Sequence, residues 1–528
     1  MSKATEMARV SAKGGFHLLW GLVLSTVISA VGTIVIARLL GPDNMGLYAI
    51  VLAAPNLIAT FRDWGVTTAM IKYSAEYNSE NDVAKVRSVF VSGLVFEVIV
   101  GLALSVLSLV LSGFLAGFYG RPAIVQLIQI ASLFILTGAL VNTASAAFTG
   151  MEKMHLNSIM LIVSSIVKTV LILALVVLGL GTLGAVVGFS VGVLVAGVTG
   201  VLLIYTMYRS LPKPTNGKLE FIKTTKTMLK YGLPLSIGAI LAGFLTQFYS
   251  TIMAIFVIDN ALIGNYSVAT NFVVLITFFA TPVTTMLFPA FSKLDAKKDK
   301  EVLKNVFQYS VKYAALIVVP VTAMVMALAQ PAIGTIFEGK YAQAPLYLAL
   351  LSVIYLLSAL GSLSTGNLIN GQGYTKYNLK LTLLTVIIGF PLSFVLISQF
   401  GIIGLIVTTI IVGLPSFFLS LRFIKKNFDV SLDWVSSAKI LSSSAAAAIL
   451  TYVAITQLPF SSPIQLIAGV IIFVIAFLLL AVITRTVNKT DLGNIREIVN
   501  ALGPQTWPYQ RQWSRITNRH HNPDDWPA

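Results

Sequence analysis

Read from end to end, the chain alternates long apolar blocks with short polar links. Fourteen blocks stand out, at about 15–37, 46–62, 88–114, 123–147, 156–178, 182–207, 233–257, 264–290, 310–330, 343–368, 379–400, 402–424, 436–457 and 463–484. A helix of about 20 residues crosses the ~30 Å hydrocarbon core of a bilayer, so each block predicts one transmembrane helix. The block at 46–62 is short, with an ill-defined end. No small-residue cleavage site follows the first block, which reads as a retained span and not as a signal peptide. The fold class predicted is an all-α membrane protein of about fourteen transmembrane helices.

The pattern also repeats. Gly150-Met-Glu-Lys-Met-His-Leu-Asn157 opens an apolar run that turns at Gly181-Thr-Leu-Gly184. Gly371-Gln-Gly-Tyr-Thr-Lys-Tyr-Asn378 opens another that turns at Gly401-Ile-Ile-Gly404, at offsets of 221 and 220 residues. Gly46-Leu-Tyr48 returns as Gly264-Asn-Tyr266, and Gly14 as Gly232, both 218 residues later. Each unit holds six spans, an even number, so both enter the membrane from the same side. A parallel pseudo-two-fold along the membrane normal is expected to relate them, the mark of a transporter built from repeats.

The expected organisation is a six-helix lobe over 1–208, a linker over 209–231, a second six-helix lobe over 232–426, two added helices over 427–484 and a polar tail over 485–528. Lys218 to Lys230 in the linker reads as an amphipathic helix on the membrane surface. In the tail, Thr490-Asp491 caps a short helix that stops at Gly503-Pro504, ahead of Trp507, Trp513 and Trp526.

Composition sharpens the membrane assignment. Of 528 residues 56% are hydrophobic and 11% charged, where soluble domains carry roughly 25% charged residues. A net charge of +16 would suit nucleic acid. The basic residues, however, fall in links between apolar blocks, which fits an anionic membrane face and no nucleic-acid partner. Every second link is nearly free of Lys and Arg, contributing Arg38, Arg121 and Lys340 alone. The other links hold clusters such as Lys293, Lys297, Lys298, Lys300 and Lys304. This alternation places both termini in the cytoplasm and the chain in the cytoplasmic membrane. The sequence has no cysteine, which excludes disulfides and thiolate metal sites.

No phosphate-binding glycine loop, metal-ligand cluster or Ser/His/Asp spacing appears. The expectation is a transporter, not an enzyme, with no metal or organic cofactor. Polar groups inside the hydrocarbon are more telling, because a charge at a helix centre costs about 2.5–3.5 kcal/mol even on insertion scales. Lys168 lies mid-span in Ser165-Ile-Val-Lys-Thr-Val170, and Glu97 in Leu94-Val-Phe-Glu-Val-Ile-Val100. Lys168 either faces a polar cavity and holds an anionic group, or pairs with Glu97, or snorkels toward an interface. Its repeat mate is Gly389, so this charge belongs to the N-terminal half alone.

Arg38 ends the first span, and Arg62 and Asp63 close the second. These are further cavity candidates, against the ordinary habit of such residues to snorkel or cap. Gln247, Tyr249 and Asn271 are neutral candidates, against plain interhelical hydrogen bonding. Gly184, Gly188 and Gly192 form a smooth ridge for close helix packing, and Pro234, Pro282 and Pro320 predict kinks.

With these residues in view, the chain resembles the polysaccharide flippases. The resemblance is carried by Ala37-Arg-Leu-Leu-Gly-Pro-Asp-Asn-Met-Gly-Leu-Tyr48 and by Asp63-Trp-Gly65 with Ala69 and Lys72. Tyr231-Gly-Leu-Pro234, Gly264-Asn-Tyr-Ser-Val-Ala269 and Phe288-Pro-Ala-Phe-Ser-Lys293 extend it through the second lobe. These flippases belong to the multidrug/oligosaccharidyl-lipid/polysaccharide exporter superfamily, together with lipid II flippases and multidrug and toxin extrusion antiporters.

The resemblance implies two six-helix bundles around a cavity that opens alternately to each side. It implies a polyprenyl phosphate- or diphosphate-linked oligosaccharide as cargo, with membrane lipids and polysaccharide-assembly proteins as partners. It also implies that Lys168 and Arg38 meet the anionic head group, and that a sodium or proton gradient could couple transport. The alternatives are an extrusion antiporter of the same fold and, in another class, a membrane glycosyltransferase or polymerase. The last would need a large outward loop or paired carboxylates at a membrane face.

Overall fold

The computed structural model describes residues 3–212, 220–296, 298–457 and 459–486, with residues 3–19 described by their backbone alone. The expected tail helix and the basic residues Lys213, Lys218 and Lys297 lie outside the described residues. Among the described residues every regular element is helical.

The N-terminal half comprises α1 (Lys3–Ala59), α2 (Val66–Ser79), α3 (Val83–Phe118), α4 (Val125–Gly150), α5 (Met154–Leu175) and α6 (Gly181–Ser210). The C-terminal half begins with α7 (Phe221–Phe256), α8 (Asn260–Phe272), α9 (Val274–Ser292), α10 (Lys300–Ala327) and α11 (Ala329–Phe337). It continues with α12 (Ala344–Ser352), α13 (Ser362–Gly371), α14 (Thr375–Phe428), α15 (Trp434–Thr456) and α16 (Ser462–Ile483).

Among the described residues ten helical stretches are long and apolar enough to cross a membrane, eleven if the bent pair α12–α13 counts as one. Three of the ten exceed a single crossing: Trp20–Ala59 with 40 residues, Met154–Ser210 with 57 and Thr375–Phe428 with 54. Each is interrupted at glycine in the positive-φ region, at Gly41 (φ 73°), at Gly179 and Gly181 (87° and 50°), and at Gly401 (54°). Glycine takes these angles freely because it has no β-carbon, so it is where such a chain can double back.

Beyond the last two breaks the chain packs on itself. Gly184, Gly188 and Gly192 of α6 lie against Leu175, Ile172 and Lys168 of α5, which is the smooth ridge the sequence predicts. The Thr385 and Ser416 hydroxyls meet at 2.7 Å across the Gly401 turn.

Three features depart from the sequence reading. The surface helix expected to end at Lys230 is not separate: Phe221–Lys230 runs unbroken into α7, 36 residues long. Gly232 stays helical there because it packs against Gly65, and Pro234 is accommodated inside the helix. The second block stops at Ala59; Asp63 then accepts the Gly65 N–H (2.8 Å) and the Thr67 hydroxyl (2.6 Å), and the chain restarts as α2. The block at 343–368 is bent by 56° at Gly361 (φ 84°), after a 3-10 turn over Val353–Leu360. Pro282 and Pro320 lie inside α9 and α10, as expected.

One apolar cluster joins the halves from Ile36, Ile50 and Ile172 to Ile252, Ile263 and Ile397, and a second brings Met228 of α7 against Val66, Met70 and Phe148. Two pairs of glycines allow the backbones to close. A β-carbon on Gly46 would overlap the Asn260 carbonyl, and one on Gly264 the Pro42 carbonyl. Gly65 and Gly232 stand in the same relation further along. Gly46 and Gly264 are repeat mates in the sequence, and here they touch.

Candidate functional site

The charged candidates of the N-terminal half separate into spent and unspent groups. Glu97, on α3, is fully buried, and its cationic neighbour is Arg62, with Nε 3.7 Å from Oε2. Arg62 leaves the break between α1 and α2, donates from Nη1 to the Ile135 carbonyl of α4 (3.2 Å), and occupies space that Gly138 leaves open. The alternative of a Lys168–Glu97 pair is therefore corrected: the arginine that follows α1 is near enough to Glu97, while Lys168 is held against Gly192 on α6. Asp63 is used locally, at the start of α2.

Lys168 is the unspent group. It is half-buried in α5 and makes no hydrogen bond or ion pair with any described residue. Its neighbours are committed elsewhere: Ser165 bonds Ser29 of α1 (3.1 Å), and Thr169 packs on Gly32. A cation in an apolar helix with no countercharge is costly to hold.

Arg38 is placed differently. It pairs with Glu338 of the C-terminal half, and both side chains are half-exposed. At the same end of the bundle the Tyr341 hydroxyl donates to the Ala37 carbonyl (2.7 Å). Arg121, which sequence reasoning marked only as a cation in a sparse link, completes this seam. Its guanidinium donates to the carbonyls of Ala254, Val257 (2.8 Å) and Ile258 (2.9 Å), to the Asn260 side chain (3.0 Å) and to the Tyr119 carbonyl (2.9 Å). Those carbonyls at the end of α7 lack helical partners, and one planar fork satisfies them. The available signal was charge placement: Arg38 and Arg121 are cations where the alternation leaves almost none, and both bind the other half.

At the opposite end the halves meet through Gly65 and Gly232, the Tyr73–Tyr231 ring pair (5.7 Å) and Lys72 over the Tyr231 ring (4.4 Å). Of the neutral candidates, Tyr249 is buried and lines a cavity between α7, α8 and α14. Gln247 is half-buried on α7. Asn271 is exposed, its amide donating to the Ser267 carbonyl (2.8 Å). Among the described residues no three His, Asp, Glu or Cys side chains gather as a metal site.

Residues 11–295 match the family described as polysaccharide biosynthesis protein. The probable low-salt glycan biosynthesis flippase Agl15 of Haloferax volcanii is 20% identical over 504 residues, covering 92% of this chain and 99% of that one. Among solved structures, the lipid II flippase MurJ in an inward closed conformation superposes with a TM-score of 0.71 at 15% identity, over 89% of this chain and 98% of that one. An inward-facing multidrug resistance MATE family transporter gives 0.63 at 14% identity, over 77% and 96%. The fold is shared with both.

Proposed function

Because the chain belongs to the polysaccharide biosynthesis protein family, we propose that it is a flippase of the multidrug/oligosaccharidyl-lipid/polysaccharide exporter superfamily. Its cargo is an oligosaccharide on a polyprenyl phosphate or diphosphate, carried from the cytoplasmic to the outer leaflet. The observation that carries the assignment is Lys168, an unpaired cation within a span of the half that matches the family. It offers charge to a phosphate, whereas Arg62 and Arg38 are held by Glu97 and Glu338.

In this reading the bent pair α12–α13 is one span and the three long helical stretches each cross twice, which makes fourteen spans with both termini cytoplasmic. The two six-helix lobes rock about their glycine-lined seam. A charged, hydroxyl-rich head group cannot enter hydrocarbon, while its polyprenyl tail can remain there. The protein supplies a polar path for the head and a lateral gap for the tail, and rocking transfers access from one side to the other. The Arg121 clamp and the Arg38–Glu338 pair close the outer side and must break when it opens. No covalent bond in the cargo is made or broken.

The test is transport in proteoliposomes holding a fluorescent polyprenyl-diphosphate oligosaccharide. The proposal expects movement between leaflets that depends on the protein. Export of a cationic dye with no movement of the lipid-linked sugar would favour the extrusion antiporter, whose fold this chain shares.

A further inference from the structure

The first turns of α7 pack on α2 and on the start of α3, and a cavity of about 320 Å³ lies between them, large enough for a small ligand. Each half of the molecule supplies part of its wall. Tyr73, on the α2 side, meets the Tyr231 ring of α7 across the inner seam. Met228, on the α7 side, packs against Val66 and Met70.

The charges on the wall balance. Lys85 pairs with Asp82 at the start of α3 (2.9 Å), and Lys223 with Glu220 at the start of α7 (2.8 Å). Both lysines are exposed, so these pairs are weak and open cheaply. Each ammonium has three N–H donors and a single carboxylate partner, which leaves donors to give. One turn along α3 from Lys85, Ser88 lines the cavity at 6% exposure and makes no hydrogen bond with any described residue. Its oxygen keeps accessible surface, unlike the sealed and unpaired Ser74 hydroxyl, and so is open to the cavity. Beside these donors stand the stacked Tyr73 and Tyr77 rings (5.8 Å). The Lys85 ammonium lies 5.1 Å from the centre of the Tyr77 ring, whose face thus already takes a cation.

The setting is a membrane surface. The apolar block of α3 begins at Ser88, which puts the cavity at the edge of the hydrocarbon. Ile222, 80% exposed, and Phe221 project beside Lys223 and Lys226, the mix found on a helix turn among headgroups. A purely anionic headgroup would meet lysines already balanced by carboxylates, and an uncharged one would leave charges of both signs unused. A headgroup carrying both an ammonium and a phosphate answers each of them.

We propose that this cavity binds the zwitterionic phosphoethanolamine headgroup of a membrane lipid. The phosphate is held by Lys85, Lys223 and Ser88, and the ammonium by Glu220 and the Tyr77 ring. Because the wall belongs to both halves, a bound headgroup bridges them and favours the arrangement in which the inner end is closed. The inference concerns a resident lipid and not the cargo, so it stands apart from the flippase reading.

The full-length, cysteine-free protein is given one thiol at Ala69, which is buried at the inner seam. Its maleimide labelling in detergent is followed while short-chain lipids with ethanolamine, choline or glycerol headgroups are added. The ethanolamine lipid is expected to slow labelling about fivefold at saturation. Ser88→Ala should raise its half-effect concentration about tenfold, the size of one charge-assisted hydrogen bond. Glu220→Gln should do the same at an unchanged melting temperature. The choline lipid, whose ammonium has no N–H to donate, should act only at higher concentration, and the glycerol lipid should not protect.

Equal protection by all three headgroups, or strongest protection by the anionic glycerol lipid, overturns the proposal. So does protection that survives both substitutions. Soluble glycerophosphoethanolamine acting as well as the lipid would overturn the assignment to a lipid. If the thiol does not react even without lipid, the melting temperature of the unlabelled wild type decides. A rise with the ethanolamine lipid that Ser88→Ala loses supports the site, and no rise overturns it.

Discussion

Lys168 and Gly389 hold the same place in the two repeats, 221 residues apart, and their surroundings have opposite chemistry. The N-terminal position carries an unpaired cation on a helix whose backbone rests on Gly192. At the C-terminal position the side chain is missing, and the space is taken by Leu245 and the Tyr249 hydroxyl. Elsewhere in the N-terminal half Arg62 and Glu97 are buried together. The C-terminal cavities are walled by hydroxyls, amide and apolar groups without a charge. Close helix contact needs small residues at the seams, such as Gly46 and Gly264, and constrains little else, so the two halves are free to diverge in what they hold.

The largest expected effect comes from breaking the charged side of this contrast. Arg62→Ala leaves Glu97 buried without a countercharge and should cost about 3–5 kcal/mol, read as a lower denaturation midpoint in detergent. Arg62→Met combined with Glu97→Met should recover most of that loss. A smaller effect, about 1.5–3 kcal/mol in all, is expected where the halves are clamped, at Arg121→Ala, because water can take over the carbonyls that this half-buried side chain releases. The chain has no cysteine, so a thiol introduced at the buried Ala254 reports it directly. Its maleimide labelling should accelerate in the Arg121→Ala background.

On the neutral side, Gly389→Ala should cost about 1–3 kcal/mol by driving a methyl group into Tyr249. Tyr249→Phe should be the mildest, leaving stability unchanged or raising it by up to ~1 kcal/mol, since it deletes an unpaired hydroxyl. A fall of several kcal/mol there would mean that the hydroxyl has a partner and that the two halves differ less than this account holds.

The fold was largely legible in the sequence because hydrocarbon leaves few choices. Backbone groups must bond within helices, and the three longest helical runs are broken where Gly41, Gly181 and Gly401 take positive φ. Gly46 and Gly264, which share one offset in the sequence, meet in the structure and let two backbones close. The site was less legible. Lys168 stood out as a charge in the wrong solvent, but its isolation depends on Arg62 reaching Glu97 first, through a break that local pattern does not reveal. Arg121 reads as one basic residue in a loop until the end of α7 is brought beside it, more than a hundred residues later in the chain. Tyr249 could be marked as a polar residue in a span, but its lack of a partner is a property of Gly389, far along the sequence.

The central claim is that the unpaired cation on α5 holds the anionic head of a lipid-linked glycan. Its most direct test is the flipping rate of a fluorescent polyprenyl-diphosphate oligosaccharide in proteoliposomes, comparing wild type, Lys168→Arg and Lys168→Ala. Loss of one desolvated charge contact, about 1.4 kcal/mol or more, predicts at least a tenfold slower rate for Lys168→Ala. Lys168→Arg should keep much of the activity, and all three should melt alike, since the lysine makes no described bond. A Lys168→Ala protein that flips the lipid as fast as wild type would contradict the claim.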